Sequence, residues 1–522
     1  MADPAALAIF NALLASVAEE MGVTLGRTAY SPNIKERRDY SCAVFDPKGQ
    51  MVAQAAHIPV HLGAMPVAVE AVRGLAPFRP GDMYILNDPY LGGTHLPDIS
   101  LVSPVFVGRA HVGFVTNRAH HADVGGMSPG SMPVATELHQ EGVIIPPLRL
   151  FDRGRLQRDV LTLLLRNMRV PEQRQGDFDA QIAAQRTGEK RLAEIARSVG
   201  RERLRKQTDA LLDWAERLTR NALRAIPAGT YSAEDVLDGD GQLDEPVPLR
   251  VALKVRSGAL HCDFTGCSPQ RKGSVNAVAS VTRSAVYYVV RCLLEPDAPS
   301  NAGLFRPVSF TLPEGTIVNA HAPAAVSAGN VETSQRIVDV VLRALANARP
   351  ELIPAASSGT MNNLTIGGQD PRTGRAFTYY ETIGGGAGGG PRGPGLSAVQ
   401  THMTNTLNTP VEALELAFPF KITTYAIRDH SGGAGRHPGG DGTVRVYRFE
   451  APATVSLISE RRRFAPWGLA GGSPGFTGRN LLRRADGSEV ELPAKSAFEV
   501  DRGDELHILT PGGGGWGRAD SH

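Results

Sequence analysis

The sequence is poor in several features that mark particular classes of protein. Only 4 cysteines occur in 522 residues, which is too few for a disulfide scaffold and favours a reducing compartment. The 55 Lys+Arg and 53 Asp+Glu leave a formal charge of +2, whereas nucleic-acid-binding proteins usually carry a basic excess. No stretch reaches the ~18 consecutive apolar residues of a membrane span. We therefore expect a cytoplasmic protein that binds neither nucleic acid nor membrane.

The apolar N-terminal stretch predicts a helix rather than a signal peptide. It lacks a basic leader, and Glu19 and Glu20 follow it directly, which is unusual for a secretory signal. Apolar residues recur along it at helical spacing, so they share one face: Leu7, Phe10, Leu14 and Val17. That face is expected to pack on the rest of the protein.

Glycine is abundant, with 57 residues against a usual share of about 7%, and its spacing has no period. Short alternating strands are predicted to about residue 147, and helical spacing dominates residues 170–225. We expect an α+β, multidomain protein with mixed β-sheets, a helical insert and a Gly-rich β C-terminal region. The predicted regions are 1–169 with the metal-site motifs, 170–228 helical, 229–430 central α+β, and 431–522 β-rich.

Two clusters of histidine and aspartate stand out between residues 87 and 126. Imidazole and carboxylate are natural ligands of Zn²⁺, Mn²⁺ or Fe²⁺. His95 and Asp98 are close enough to converge from one loop, in which Gly92 and Gly93 allow unusual backbone dihedrals. His120 is placed at the end of a predicted strand. The spacing indicates a metal or catalytic site built from the following residues: Asp88, His95, Asp98, His120, His121 and Asp123, with Asp39 as a further candidate ligand from an earlier strand.

Other motifs give little or no evidence for a nucleophilic serine or for phosphate binding. Gly126–Gly130 matches G-x-S-x-G, but the residue after Ser128 is Pro129, which has no N–H for an oxyanion hole. No Walker-type P-loop occurs. The run Gly384–Gly390 is interpreted as a flexible or interface loop, with contact to a substrate or phosphate as the alternative. Arg461–Arg463 are expected to pair with local carboxylates rather than with phosphate.

The motifs together resemble the hydantoinase B/oxoprolinase family, and the resemblance covers nearly the whole chain. Several long motifs occur in the expected order, which makes the match specific. They are RRDYSCAVFD, NDPYLGGTHLPDI, HHADVGGMSPGSMP, QEGVIIPP, NVETSQR, YYETIGGGAGGGP, THMTNTLNTP, SGGAGRHPGGDG and SERRRFAPWGLAGG.

The resemblance implies a divalent metal and a set of residues around it. The implied ligands are His95, Asp98 and His120, with Asp39 as the fourth. His121, Asp123 and Glu141 would line the pocket in catalytic roles, and the resemblance leaves His121 or Asp123 as the general base. These assignments are carried over from the family motifs onto matching positions.

The resemblance also implies a division of labour between two subunits. A hydantoinase A-like partner would bind ATP and phosphorylate a cyclic amide such as 5-oxoproline, a hydantoin or a related lactam. This chain would then hydrolyse the activated ring with water activated by the metal, within a hetero-oligomer. The alternative is a subunit of an ATP-dependent acetone- or acetophenone-type carboxylase. Carboxylase-type relatives are generally longer, which weakly favours amide hydrolysis.

Overall fold

The computed structural model describes residues 4–55 and 58–519. Within them, helices alternate with four sheets that are antiparallel except for one strand pair, so the predicted α+β class with several sheets is confirmed.

A seven-stranded sheet forms the N-terminal part of the fold, in the order β2-β1-β5-β4-β3-β6-β7. Its strands are β1 Tyr40–Phe45, β2 Met51–Gln54, β3 Met83–Leu86, β4 Asp98–Val107, β5 Ala110–His120, β6 Leu148–Asp152 and β7 Arg155–Leu156. The helices around it are α1 Pro4–Thr28, α2 Pro32–Lys35, α3 Ala64–Arg73, α4 Arg158–Arg166, α5 Pro171–Val199 and α6 Arg201–Arg224.

Helices cover both faces of this sheet because its strands are apolar on both sides. Cys42 and Val44 pack with α1 and α5, while Ala43 and Phe45 pack with α3 on the opposite face, as strand alternation requires. The predicted N-terminal helix is confirmed, and its apolar stripe is buried: Leu7, Phe10, Leu14 and Val17. By length and composition α1 resembles a membrane-crossing helix, but this stripe contacts the protein core.

A second, four-stranded sheet follows, in the order β11-β10-β9-β8. It contains β8 Gly229–Leu237, β9 Val247–Arg256, β10 Ala259–Asp263 and β11 Val308–Thr311, with helices α7 Ala279–Cys292 and α8 Ser334–Ala346. Helix α8 packs on β8 and β9. A π-helical turn, Gly329–Thr333, leads directly into α8, and such turns often occur at functional sites.

Two further sheets pack face to face in the C-terminal half. Their orders are β13-β12-β16-β19 and β14-β15-β20-β17-β18. The elements are β12 Asn363–Asp370, β13 Arg375–Glu381, α9 Val411–Ala417, β14 Phe420–Arg428, β15 Gly442–Phe449, β16 Ala453–Ile458, β17 Arg479–Arg483, β18 Glu489–Leu492, β19 Lys495–Val500 and β20 Glu505–Leu509. The predicted boundary at residue 430 does not follow these sheets, because β12 pairs with β16 across it. Long-range strand pairing of this kind leaves no local sequence signal.

Glycine-rich segments meet beside these sheets and form what we call the glycine-rich core, residues 384–390, 432–440 and 511–515. Backbone hydrogen bonds join them: the Gly386 amide donates to Pro511 O (3.0 Å), and the Gly513 amide donates to Gly440 O (2.9 Å). A Cβ on Gly386 would overlap the Gly440 carbonyl oxygen. The amides of Gly385, Gly386, Gly389 and Gly390 donate to backbone carbonyls, and that of Gly388 donates to Oγ of Ser357. This internal bonding argues against a flexible loop and against phosphate contact through these amides, while the interpretation of Gly384–Gly390 as an interface loop stays a prediction.

Candidate metal centre

The candidate site lies where β4 begins and β5 ends. Asp98 is the first residue of β4, His120 is the last residue of β5, and the two are paired across the sheet. The loop before β4 turns tightly, with Gly92 at φ 109°, and brings His95 beside Asp98. The predicted convergence of His95, Asp98 and His120 is thus found in the structure.

These three residues form what we call the His/Asp cluster. Oδ1 of Asp98 lies 3.3 Å from Nε2 of His95 and 3.3 Å from Nδ1 of His120. One ligand atom from each residue lies within 4.8 Å of the others, and all three side chains are buried. This is a donor set that a divalent transition metal accepts.

Several nitrogen atoms of the cluster have no hydrogen-bond partner among the described residues. They are both ring nitrogens of His95 and Nε2 of His120. A buried polar atom left unpaired costs about 1–3 kcal/mol, so such atoms point to a missing ligand. The residues present therefore fit a divalent ion.

The protonation states of the cluster also suit a metal. Burial alone would raise the pKa of Asp98, but the imidazoles of His95 and His61 and a hydrogen bond from His120 hold that pKa well below its usual range. Burial lowers the pKa of His120. At neutral pH the cluster thus offers a carboxylate and a neutral imidazole, the forms that bind metal.

A small cavity of about 20 Å³ adjoins the cluster, which is about the room that one water molecule needs. Asp39 lines this cavity, and its side chain lies 3.7 Å from Nη2 of Arg37. Asp39 is outside the group whose ligand atoms lie within 4.8 Å of one another. Its role as a fourth ligand therefore stays a prediction, supported by its place in the cavity wall.

The cavity wall also comes from segments outside the first sheet. Asn330 from the π-helical turn, Met403 and Thr404 line it together with Tyr380 of β13. The Tyr380 ring stacks on His120, with ring centroids 4.3 Å apart and 16° between the planes. Residues far apart in sequence thus surround the cluster.

His121 points away from the cluster, because successive side chains on a strand face opposite sides. Its Nε2 lies 2.9 Å from Oε1 of Gln181 on α5, and its ring packs on Phe178. Burial lowers the pKa of His121 to about 4. In this arrangement His121 lacks the contact with the cavity that a general base needs.

Asp123 and Glu141 also lie outside the cavity wall. Asp123 accepts hydrogen bonds from the amides of Gly125 (2.8 Å) and Gly130 (3.0 Å) and pairs with Arg169 at 3.1 Å, so it organises its own loop. Oε1 of Glu141 accepts hydrogen bonds from the backbone amides of Val326 and Ser327, both at 2.9 Å. Burial raises the pKa of Glu141 to about 7, and the nearby imidazole of His95 partly offsets this. His121, Asp123 and Glu141 are thus not among the residues that line this small cavity, and their catalytic roles stay predictions.

Sequence reasoning missed His61, which lies in the wall of the cavity. Its Nε2 is 3.1 Å from Oδ2 of Asp98, and its Nδ1 is 2.8 Å from Oγ of Ser41. Serine, histidine and aspartate in a row resemble a hydrolase triad, but Ser41 is fully buried in β1 and does not line the cavity. A lone histidine in PVHLG carries no spacing signal that would have identified it.

A chain of buried hydrogen bonds lies behind the cluster and connects Tyr380 to the carboxyl group of Glu332. Tyr380 donates to Oδ1 of Asn363 (2.9 Å), and Nδ2 of Asn363 donates to Glu332 (2.7 Å). Burial raises the pKa of Glu332 to about 8, and the neighbouring Glu460 carboxylate adds to this.

Arg461 pairs with Asp235 and Asp339, and Arg463 pairs with Asp244. The predicted pairing with carboxylates is found for Arg461 and Arg463, whereas the Arg462 guanidinium donates to Asn362 Oδ1, Asn480 Oδ1 and Glu460 O.

The chain belongs to the Hydantoinase B/oxoprolinase family, whose model matches residues 3–519. It is 40% identical to 5-oxoprolinase 1 of Arabidopsis thaliana, over 99% of this chain and 42% of that protein. It is 31% identical to a putative D-/L-hydantoinase subunit of Pseudomonas sp. (strain NS671), over 99% of this chain and 90% of that one. The chain thus spans about two fifths of the 5-oxoprolinase and most of the hydantoinase subunit.

Two solved structures share the fold. An ATP-dependent caprolactamase from Pseudomonas jessenii superposes with a TM-score of 0.91 at 30% identity, over 99% of this chain and 92% of that chain. An acetone carboxylase superposes with a TM-score of 0.91 at 19% identity, over 99% and 76%. The second likeness shows the fold alone. The family and these relatives support an ATP-dependent amide-hydrolysing enzyme.

Proposed function

We propose that the chain is the metal-bearing subunit of a two-component, ATP-dependent cyclic amide hydrolase. Its substrate would be 5-oxoproline, a hydantoin or a related lactam. The observation that carries the proposal is the buried convergence of His95, Asp98 and His120 beside a small cavity, together with the ring nitrogens of His95 and His120 that lack a partner among the described residues. Relatives named for hydrolysis of cyclic amides support the choice of reaction.

The residues of the site would divide the work as follows. His95, Asp98 and His120 hold the ion, and Asp39 completes the set as the predicted fourth ligand. When bound, Zn²⁺, Mn²⁺ or Fe²⁺ supplies Lewis-acid activation of water at neutral pH. Tyr380 fixes the plane of the His120 ring by stacking on it. The side chains of the cluster are buried, which strengthens their electrostatic interactions.

A partner would supply the ATP-dependent step. One relative is named as a single subunit of a hydantoinase, and the 5-oxoprolinase is more than twice as long as its matching part. We infer a hydantoinase A-like partner that binds ATP and phosphorylates the lactam oxygen, in a cytoplasmic hetero-oligomer. The amide carbonyl is a poor electrophile, and phosphorylation makes the ring carbon open to attack by water.

Reconstitution tests the proposal. The purified chain is incubated with ATP, Mn²⁺ or Zn²⁺, and each of 5-oxoproline, hydantoin and caprolactam, with and without the ATP-binding partner. We expect ring-opened amino acid only when both subunits are present, and none when the chain carries His95→Ala. Robust ATP-dependent hydrolysis by the lone chain would contradict the two-component proposal.

The same reconstituted pair separates hydrolysis from carboxylation. Labelled bicarbonate is added together with acetone or acetophenone, and incorporation of label into acid-stable product is measured. We expect no incorporation above the level seen with His95→Ala. Incorporation without amide hydrolysis would assign the chain to the carboxylase class instead.

A further inference from the structure

The two oxygens of the Asp98 carboxylate face different groups. Oδ1 lies 3.3 Å from a ring nitrogen of His95 and 3.3 Å from one of His120. Oδ2 instead accepts a hydrogen bond from Oγ1 of Thr94 at 2.5 Å and lies 3.1 Å from Nε2 of His61. One oxygen therefore faces the ion site, and the other is anchored to the protein.

The hydrogen-bonding roles of His61 follow from its two partners. An ionised carboxylate only accepts hydrogen bonds, so Nε2 of His61 donates to Asp98. Nδ1 is then the acceptor in this tautomer, and the Ser41 hydroxyl at 2.8 Å donates to it. Both ring nitrogens of His61 are thus engaged, and His61 is not in the group whose ligand atoms lie within 4.8 Å of one another.

We propose that His61 is a positioning residue that holds Oδ2 of Asp98 and so presents Oδ1 to the ion. This inference rests on the metal site of the proposed function. His61 is well placed for the role, since it lies in a short helical turn, Pro59–His61, and is 1% exposed. The Asp98 carboxylate sets the tautomer of the ring, and the Ser41 hydroxyl of β1 helps to hold its orientation. Partners of this kind behind a metal ligand typically change metal affinity 10–100-fold.

Two substitutions that differ by one methylene separate this role from general packing. The amide nitrogen of glutamine can take the place of Nε2 and still donate to Asp98, whereas asparagine is too short to reach it. We expect His61→Asn to weaken Mn²⁺ or Zn²⁺ binding about 10- to 100-fold, and His61→Gln to stay within about threefold of the parent protein. His111→Asn, on β5 and away from the cluster, is the matched control and should bind like the parent.

Affinity is measured on the purified full chain by competition with a chelator, and folding of each variant is checked by circular dichroism. The electron paramagnetic resonance spectrum of bound Mn²⁺ gives a second readout, which should change in His61→Asn and be restored in His61→Gln. Ser41→Ala should weaken binding less than His61→Asn does.

Three results would overturn the proposal. The first is parent-like affinity in His61→Asn, and the second is equal loss in the two His61 variants, which would show that the hydrogen bond to Asp98 does not carry the effect. The third is no metal binding by the parent protein. Because the assay needs neither ATP nor a partner, failure of the reconstituted hydrolysis with intact metal binding would overturn the proposed function alone.

Discussion

The His/Asp cluster and the glycine-rich core use opposite means to build a buried region. In the cluster, side chains converge and several of their nitrogens lack a partner among the described residues. In the glycine-rich core most residues are glycine, and backbone amides pair with carbonyls of other segments. The ring nitrogens of the cluster are therefore available to bind a ligand, whereas the backbone amides of the glycine-rich core are already hydrogen-bonded within the protein.

This difference explains why the two regions should respond differently to substitution. Unpaired polar atoms weaken the folded state, and a bound ion relieves that cost. Close backbone packing stabilises the folded state only while the glycines at the closest approaches, such as Gly386, stay free of a Cβ. Substitutions in the cluster should therefore mainly weaken metal binding, and substitutions in the glycine-rich core should mainly lower the free energy of unfolding.

The largest effect on folding is expected in the glycine-rich core. An added Cβ on Gly386 would overlap the carbonyl of Gly440, so Gly386→Ala should lower the free energy of unfolding by about 3 kcal/mol or more. Gly393 has no atom within 4 Å of the position of an added Cβ. Gly393→Ala, the control, should change that free energy by less than about 1 kcal/mol. Urea unfolding of both variants measures this, and equal stability of the two would refute the close-packing account.

A smaller effect is expected when metal is added. At a free ion concentration of 100 times Kd, the parent protein should gain about 2.7 kcal/mol in the free energy of unfolding. The same gain should appear in Gly393→Ala and be absent in His95→Ala. Thermal unfolding with and without Mn²⁺ or Zn²⁺ measures it. Equal stabilisation of His95→Ala would place the bound ion elsewhere.

The buried acid behind the cluster should make the stability of the protein depend on pH. The pKa of Glu332 is raised to about 8 from 4.5, so between those values the folded state holds a proton that the unfolded state has lost. Stability therefore falls as the pH rises from 5 to 8. Glu332→Gln removes this contribution.

Unfolding of the parent protein and Glu332→Gln at pH 5 and pH 8 measures the difference. The variant should gain stability relative to the parent protein at the higher pH. An unchanged difference between the two proteins at both pH values would show that Glu332 is not held protonated by folding.

How far the sequence predicted the site depended on how local each signal was. The His95–Asp98 spacing and the position of His120 at a strand end are local, and the structure brings these residues together as predicted. His121 follows His120 directly, and the alternation of a strand sends its side chain to α5 instead. His61 reaches Asp98 across 37 residues, and no spacing rule predicts that contact.

The fold shows the same limit. The stripe of Leu7, Phe10, Leu14 and Val17 repeats within one helix, and its burial followed from that repeat. The glycine-rich core depends on contacts such as that between Gly386 and Pro511, which lie more than a hundred residues apart. Composition alone showed the excess of glycine but not which segments pack together.

The metal content of the purified protein tests the central claim most directly. Elemental analysis of the parent protein, loaded with divalent metal and then freed of excess, should give about one ion per chain. His95→Ala, treated in the same way and shown to be folded, should retain none, while Gly393→Ala should match the parent protein. Equal metal in His95→Ala and the parent protein would contradict the assignment of the His/Asp cluster as the metal centre.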